Sequence, residues 1–206
     1  MFKTFASVAA VAAIGFLAGE AEAKASKKDA AAYPLFDQAM TLAGGDLFWK
    51  SYGVRTPDDY ILRLFRIQGI SRREPLPNAG TKGPILLLHG ITADSLTWFN
   101  RSDANNFAIG KLLAMQGYDV WFGNWRGTPY SRSHKTLLDI DGADEEAYWD
   151  FDNTTIADND LRAMIKLVKS KSGTCQKITL MAHSYGCQVA LNGLSGTRQD
   201  RADNYI

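Results

Sequence analysis

The run Lys177-Ile178-Thr179-Leu180-Met181-Ala182-His183-Ser184-Tyr185-Gly186 constrains this chain more than any other. An apolar, β-prone segment leads directly into small-x-Ser-x-Gly, and Cys187-Gln188-Val189-Ala190-Leu191 continues as a helix. Strand, serine and helix in that order form a nucleophile elbow, the tight turn that lifts a serine hydroxyl above the end of a sheet. The turn holds the serine in a strained backbone conformation, so the positions two before and two after it must be small. Ala182 and Gly186 meet that demand.

An elbow needs a sheet to stand on, and the preceding residues supply one. Leu47 to Val54 and Tyr60 to Ile67 read as two strands joined by a turn at Pro57-Asp58-Asp59. In the second, Ile61, Arg63, Phe65 and Ile67 share one face and Leu62, Leu64 and Arg66 the other. A polar loop from Gln68 to Gly83 follows. Pro84 to Leu88 has no polar alternation and reads as a strand buried on both faces. A helix over Phe107 to Met115, capped by Ser102 or Asp103 and ended by Gly117, leads to a fourth strand at Tyr118 to Phe122. Gly123 to Trp149 reads as a long loop. Ala157, Leu161, Met164, Ile165 and Val168 fall on one helical face that Gly173 closes. A hairpin followed by alternating strands and helices predicts an α/β fold: a hairpin plus a mostly parallel sheet flanked by helices.

At 206 residues and 46% hydrophobic, the chain has the length for one core. A formal net charge of +1 without a basic block speaks against a nucleic-acid partner. Residues 1–23 have the form of a secretory signal peptide: Met1-Phe2-Lys3, an apolar stretch from Phe5 to Gly19, and Ala21-Glu22-Ala23 as the cleavage pattern. Residues 24–46 are expected to be a leader segment, small and charged at its start, and 47–206 the folded domain. No second apolar run reaches spanning length, so no transmembrane segment is expected after signal cleavage. Cys175 and Cys187 flank the elbow strand, which would hold them ~20 Å apart, too far to bridge. They are expected as free thiols, Cys187 as a small packing residue in its helix. Asn100 and Asn153 head sequons and are glycosylation candidates if the lumenal route holds.

A nucleophilic serine also needs an oxyanion hole. One donor is the backbone N–H after the serine, here Tyr185, and the second comes from the loop after the third strand. That strand ends in Leu88-His89-Gly90-Ile91-Thr92, where Gly90 is expected to turn the backbone and aim the N–H of Ile91. His89 reads as a buried histidine that hydrogen-bonds the loop rather than a group that reaches the nucleophile. His183 precedes the serine, so its side chain points away. His134 lies in a loop with no carboxylate assigned to orient it. In an elbow of this kind the acid and the histidine follow the serine, yet all three histidines precede Ser184; the triad is expected to be incomplete within these residues. The acidic stretch from Asp139 to Asp160 lacks calcium-loop spacing and reads as a solvated loop running into a helix N-terminus. No metal site is expected.

From Tyr52 to Gly193 the chain resembles the acid lipase family, the gastric and lysosomal acid lipases and their relatives. The residues that carry the likeness are Tyr52-Gly53 with Thr56 to Arg63, His89-Gly90-Ile91 with Trp98-Phe99-Asn100, Gly117 to Gly127 followed by Tyr130-Ser131-Arg132 and His134, Trp149-Asp150-Phe151, and His183 to Gly186. The resemblance implies the N-terminal part of an α/β-hydrolase fold, with C-terminal strands and cap absent. It implies a serine ester hydrolase without a cofactor, cleaving triacylglycerols or steryl esters at a lipid–water interface. Ser184 would be the nucleophile, and Ile91 and Tyr185 the oxyanion amides, supported by His89, Gly90, Ala182, His183 and Gly186. Secretion or delivery to a lysosome or vacuole would follow. The elbow strand would be left as an apolar sheet edge, which a partner chain is then expected to cover. The alternatives are a non-catalytic hydrolase-like scaffold that binds lipid or protein, and an enzyme for smaller esters or peptides. Three residues depart from the family pattern: Ala182 for glycine, Tyr185 for glutamine, and Asp59 for a turn glycine.

Overall fold

The computed structural model describes residues 28–42, 47–69, 76, 80–99, 108–173 and 177–195. The expected signal peptide, Asn100, Cys175 and the capping positions Ser102 and Asp103 lie outside them. The strands are β1 (Phe48–Arg55), β2 (Tyr60–Gly69), β3 (Pro84–Leu88), β4 (Asp119–Gly123), β5 (Ser133–His134) and β6 (Thr179–Ala182). The sheet order is β1-β2-β4-β3-β6, with the short β5 beside the start of β2. The expected hairpin, β1 with β2, is antiparallel, and the strands that alternate with helices, β4, β3 and β6, pair in parallel; β4 and β5 run antiparallel to β2, so the sheet as a whole is mixed. Burial along β3 and β4 is continuous, as strands covered on both faces require.

Period-two alternation divides the apolar residues between two cores. Phe65, Ile67, Ile85, Leu87, Val120 and Phe122 face one side. Leu62, Leu64, Leu86, Leu88 and Trp121 face the other, where they meet Met164 and Val168 of one helix and Val189 of another. The helices are α1 (Pro34–Leu42), α2 (Ile109–Met115), α3 (Glu145–Trp149), α4 (Arg162–Ser172) and α5 (Tyr185–Leu194).

The first core corrects the leader reading. Residues 28–32 are helical, and α1 inserts Phe36 and Met40 into the core. Phe36 stacks on Phe65 at 3.8 Å between ring centroids and meets Trp49, Phe99 and Phe122 edge-on at 4.9 to 5.9 Å. Asp37 accepts a hydrogen bond from the Trp49 indole at 2.9 Å, and Asp29 accepts from the Ser51 backbone N–H at 3.0 Å. Phe36 and Met40 sit one helical turn apart, too few apolar positions to announce an amphipathic helix.

Two further expectations are corrected. The loop from Gly123 to Trp149 contains β5 and α3. Helix α2 begins at Ile109 and has no side-chain cap. Its end behaves as read, with Gly117 at φ 94° and the Gly117 N–H donating to Ala114 O at 3.0 Å. Helix α4 ends on Gly173 in the left-handed region. Ahead of α4, Asn153–Thr155 and a π-helical segment, Ile156–Leu161, run straight into it. Among the described residues, no helix is long and apolar enough to cross a membrane.

Candidate active site at the end of strands β3 and β6

Parallel pairing of β3 with β6 sets Leu88 opposite Ala182 and ends both strands at the same level. The His183 N–H donates to Leu88 O at 3.0 Å, so the residues beyond each strand leave side by side. Ser184 then takes φ 52°, ψ −117° and the chain turns at once into α5. The Gly186 N–H donates to His183 O at 3.0 Å, and the Cys187 N–H to Ser184 O at 2.9 Å. A non-glycine residue at positive φ is costly and is held only where surrounding structure over-determines it. Here Gly186 packs so tightly on the end of β3 that a Cβ would lie 2.6 Å from Leu88 O and 2.8 Å from His89 O. Only glycine fits, which is the physical content of the small residue two after the serine. Ser184 itself is exposed.

Gly90 faces the serine across the gap. A Cβ there would stand 3.2 Å from the Ser184 Cβ and 3.1 Å from His183 Nδ1. Within this loop Thr92 takes the left-handed region, at φ 55°. A β-branched residue in that region is strained. Ile91, between them, is 66% exposed. The structure therefore brings together Gly90, Ile91, His183, Ser184, Tyr185 and Gly186.

The histidines separate by role. His89 is 1% exposed. Its Nδ1 lies 2.8 Å from Gly90 O, and its Nε2 accepts the Trp125 N–H at 3.3 Å. Burial lowers its pKa below the usual histidine value, against an opposing pull from the Gly90 carbonyl and Asp94. His134 bonds Asp58 O through Nε2 at 2.9 Å and accepts the Leu137 N–H on Nδ1 at 3.0 Å, which ties β5 to the β1–β2 turn. Both are committed to main-chain partners. His183 is exposed next to Gly90.

Beside the serine lies a pocket of about 480 Å³, bounded by Ile91, Pro129, Trp149, Phe151, Ile156 and Tyr185. Its wall is apolar where these rings meet. Burial raises the pKa of the Tyr185 phenol. Behind the pocket sits a charge network that the acidic-loop reading missed. Asp160, in the π segment, is completely buried. It accepts from the Arg126 backbone N–H at 2.9 Å, and from Nε and Nη2 of the same residue at 2.8 and 2.6 Å. The opposite edge of that guanidinium bonds both oxygens of Asp58 at 2.7 and 3.0 Å, and the Tyr60 ring covers it at 3.8 Å. Burial pushes Asp160 up to about 6, with Arg126 pulling against it. A signal existed: Asp160 falls between Ala157 and Leu161 on the apolar face of the helix.

Of the other acids of the stretch, Asp144 accepts from the N–H groups of Leu138 and Asp139, Asp152 from that of Thr155, and Asp141 pairs with Arg132. Among the described residues, no three histidine, cysteine or acidic side chains group to hold a metal ion. Cys187 is exposed rather than packed, and its Sγ donates to Ala182 O at 3.2 Å. Asn153 is half-buried at a helix start, with its Oδ1 shut off from solvent.

A serine in a left-handed elbow, at the end of a parallel strand pair and beside an apolar pocket, defines a class. The family model of the alpha/beta hydrolase fold matches residues 83–203, and the chain belongs to that family. A second model, the partial alpha/beta-hydrolase lipase region, matches residues 46–102. The chain is 35% identical over 146 residues to the lysosomal acid lipase/cholesteryl ester hydrolase of Homo sapiens, covering 71% of this chain and 34% of that protein. It is 34% identical over 147 residues to triacylglycerol lipase 2 of Arabidopsis thaliana, covering 71% and 33%. An esterase structure from Pyrococcus furiosus aligns at TM-score 0.44 and 20% identity, over 74% of this chain and 49% of that one. The acid lipase likeness read from the motifs holds. The chain spans about a third of the length of the curated relatives it matches.

Proposed function

We propose that this chain carries the nucleophile half of a serine ester hydrolase of the acid lipase type, acting on neutral lipid esters through an acyl-enzyme on Ser184. The observation that carries the reading is the Ser184 backbone, φ 52° and ψ −117°, set between β6 and α5 with Gly90 packed against it. Ser184 Oγ attacks the ester carbonyl, its proton passes to a base, and the base returns that proton to the departing alcohol. Water then releases the fatty acid and restores the serine. The amides of Ile91 and Tyr185 hold the carbonyl oxygen as it becomes negative, each worth ~3–4 kcal/mol in the transition state. His89 and His134 are spent on backbone partners. The base and its acid are therefore assigned to a segment downstream of Ser184, the order this fold uses.

The apolar pocket suits a fatty acyl or steryl group. Two of the relatives quoted are named for cholesteryl ester and triacylglycerol substrates, which supports neutral lipid esters as the substrate class. The N-terminal residues 1–23 together with the lysosomal relative support a secretory route, to the outside or to an acidic compartment. No cofactor enters this chemistry.

The test is covalent. The protein purified from the cells that make it is treated with a fluorophosphonate, and the adduct is mapped by mass spectrometry. Ser184 is expected to carry it, and Ser184→Ala to carry none. An adduct on another serine, or equal labelling of the alanine variant, overturns the assignment.

A further inference from the structure

We propose that His89 is a positioning residue: its ring clasps the Gly90 carbonyl and thereby aims the Ile91 amide at the Ser184 oxyanion. The inference rests on the Ser184 reading above and adds to it what fixes the donor that the loop must supply.

The tautomer follows from the partners. Gly90 O can only accept, so the His89 nitrogen 2.8 Å away, Nδ1, carries the proton and donates it. The Trp125 N–H can only donate, so Nε2 is bare and accepts at 3.3 Å. The ring is neutral, and both nitrogens are used. Geometry then does the rest. Gly90 C=O and Ile91 N–H belong to one planar trans peptide and point in opposite directions. Holding the oxygen toward the imidazole turns the N–H away from it. Gly90 itself lies against the Ser184 Cβ. Thr92, two residues on, is held at φ 55°, so without the clasp this loop has reason to relax into a commoner conformation.

The ring is fixed in its turn from the far side. The Trp125 indole Nε1–H donates to His89 O at 3.1 Å, so Trp125 bonds both the backbone and the ring of His89. The next amide, that of Arg126, is bonded by the buried Asp160. The oxyanion loop thus inherits its orientation from the loop after β4, through adjacent amides of Trp125 and Arg126.

Two measurements test this. The first is the rate at which a fluorophosphonate modifies Ser184 in the natural protein, His89→Leu and His89→Asn. The leucine removes both ring bonds and is expected to slow the reaction ~100-fold, the scale of losing one oxyanion donor. Asn Nδ2 falls near the position of Nδ1 and can still donate to Gly90 O, so His89→Asn is expected to recover most of that loss; a merely space-filling role predicts no such rescue. The second is nitrogen-15 NMR of the histidine ring, expected to show the Nδ1–H tautomer. An Nε2–H tautomer, or unchanged labelling in His89→Leu, overturns the proposal. If the leucine variant fails to fold, the asparagine variant decides: a rate as low as that of Ser184→Ala overturns the clasp. No labelling of the natural protein overturns the Ser184 reading and not the clasp, which then stands or falls on the tautomer.

Discussion

Asp59 stands at φ 75°, where the turn between β1 and β2 would suit glycine. Its carboxylate pairs with Arg55, the Nε–H donating at 2.6 Å, and short polar side chains tolerate this region better than branched ones. The departure from the family's turn glycine therefore leaves the turn intact. Asp59→Gly is expected to change stability by less than ~1 kcal/mol, since relief of strain is offset by a freer unfolded chain and a lost ion pair. Asp59→Val is expected to cost ~2 kcal/mol. Urea unfolding of both variants checks this; a valine variant as stable as the glycine one would refute it. Asp160 carries a pH prediction. Burial raises its pKa from 3.8 to about 6, so the folded state binds its proton more tightly than the unfolded one. Its contribution is fully present below pH 3.8 and is lost as pH rises through about 6. The loss is ~3 kcal/mol. Asp58 runs the other way: burial pushes it up, but hydrogen bonds from Arg126 and Thr56 and the Arg126 charge bring it below 3.8. It stabilises above that value, and the gain is lost on further acidification. Between pH 4 and 7, the natural protein is expected to lose ~2 kcal/mol more than Asp160→Asn does. Parallel stability–pH curves for the two proteins would end this account.

Among the elements, α1 shows what burial decides. Its core residue Phe36 is surrounded by Trp49, Phe65, Phe99 and Phe122, so truncation leaves a cavity that stacked rings cannot easily fill. Phe36→Ala is expected to destabilise by ~3–5 kcal/mol, measured as a lower urea midpoint with unchanged slope; a loss under ~1 kcal/mol would show that α1 is not part of the cooperative core. The π segment is the second such element. Its extra residue per turn is a known habit of functional sites, and here it carries Asp160 to Arg126 at the back of the pocket. β6 is the third. It pairs with β3 on one side and, among the described residues, with nothing on the other. Its side chains are exposed or half-buried.

For the molecule as a whole, the chemistry converges on one end of the sheet. β3 leads into the His89–Thr92 loop, β4 into the Trp125 and Arg126 amides that bond His89 and Asp160, β6 into Ser184, and the β1–β2 turn is tied in through Asp58 and His134. What could be read in advance was whatever has a local period or a local steric rule. An unbroken apolar run announced β3, a 3.6-residue repeat announced α4, and small residues around Ser184 announced the elbow. These depend on neighbours in sequence, so a linear reading reaches them. The placement of α1 in the core, the buried state of Asp160 and the bond from the Trp125 N–H to the His89 ring depend on partners dozens of residues away. Each is decided by what folding brings within bonding distance, and that distance exists only once the sheet has formed.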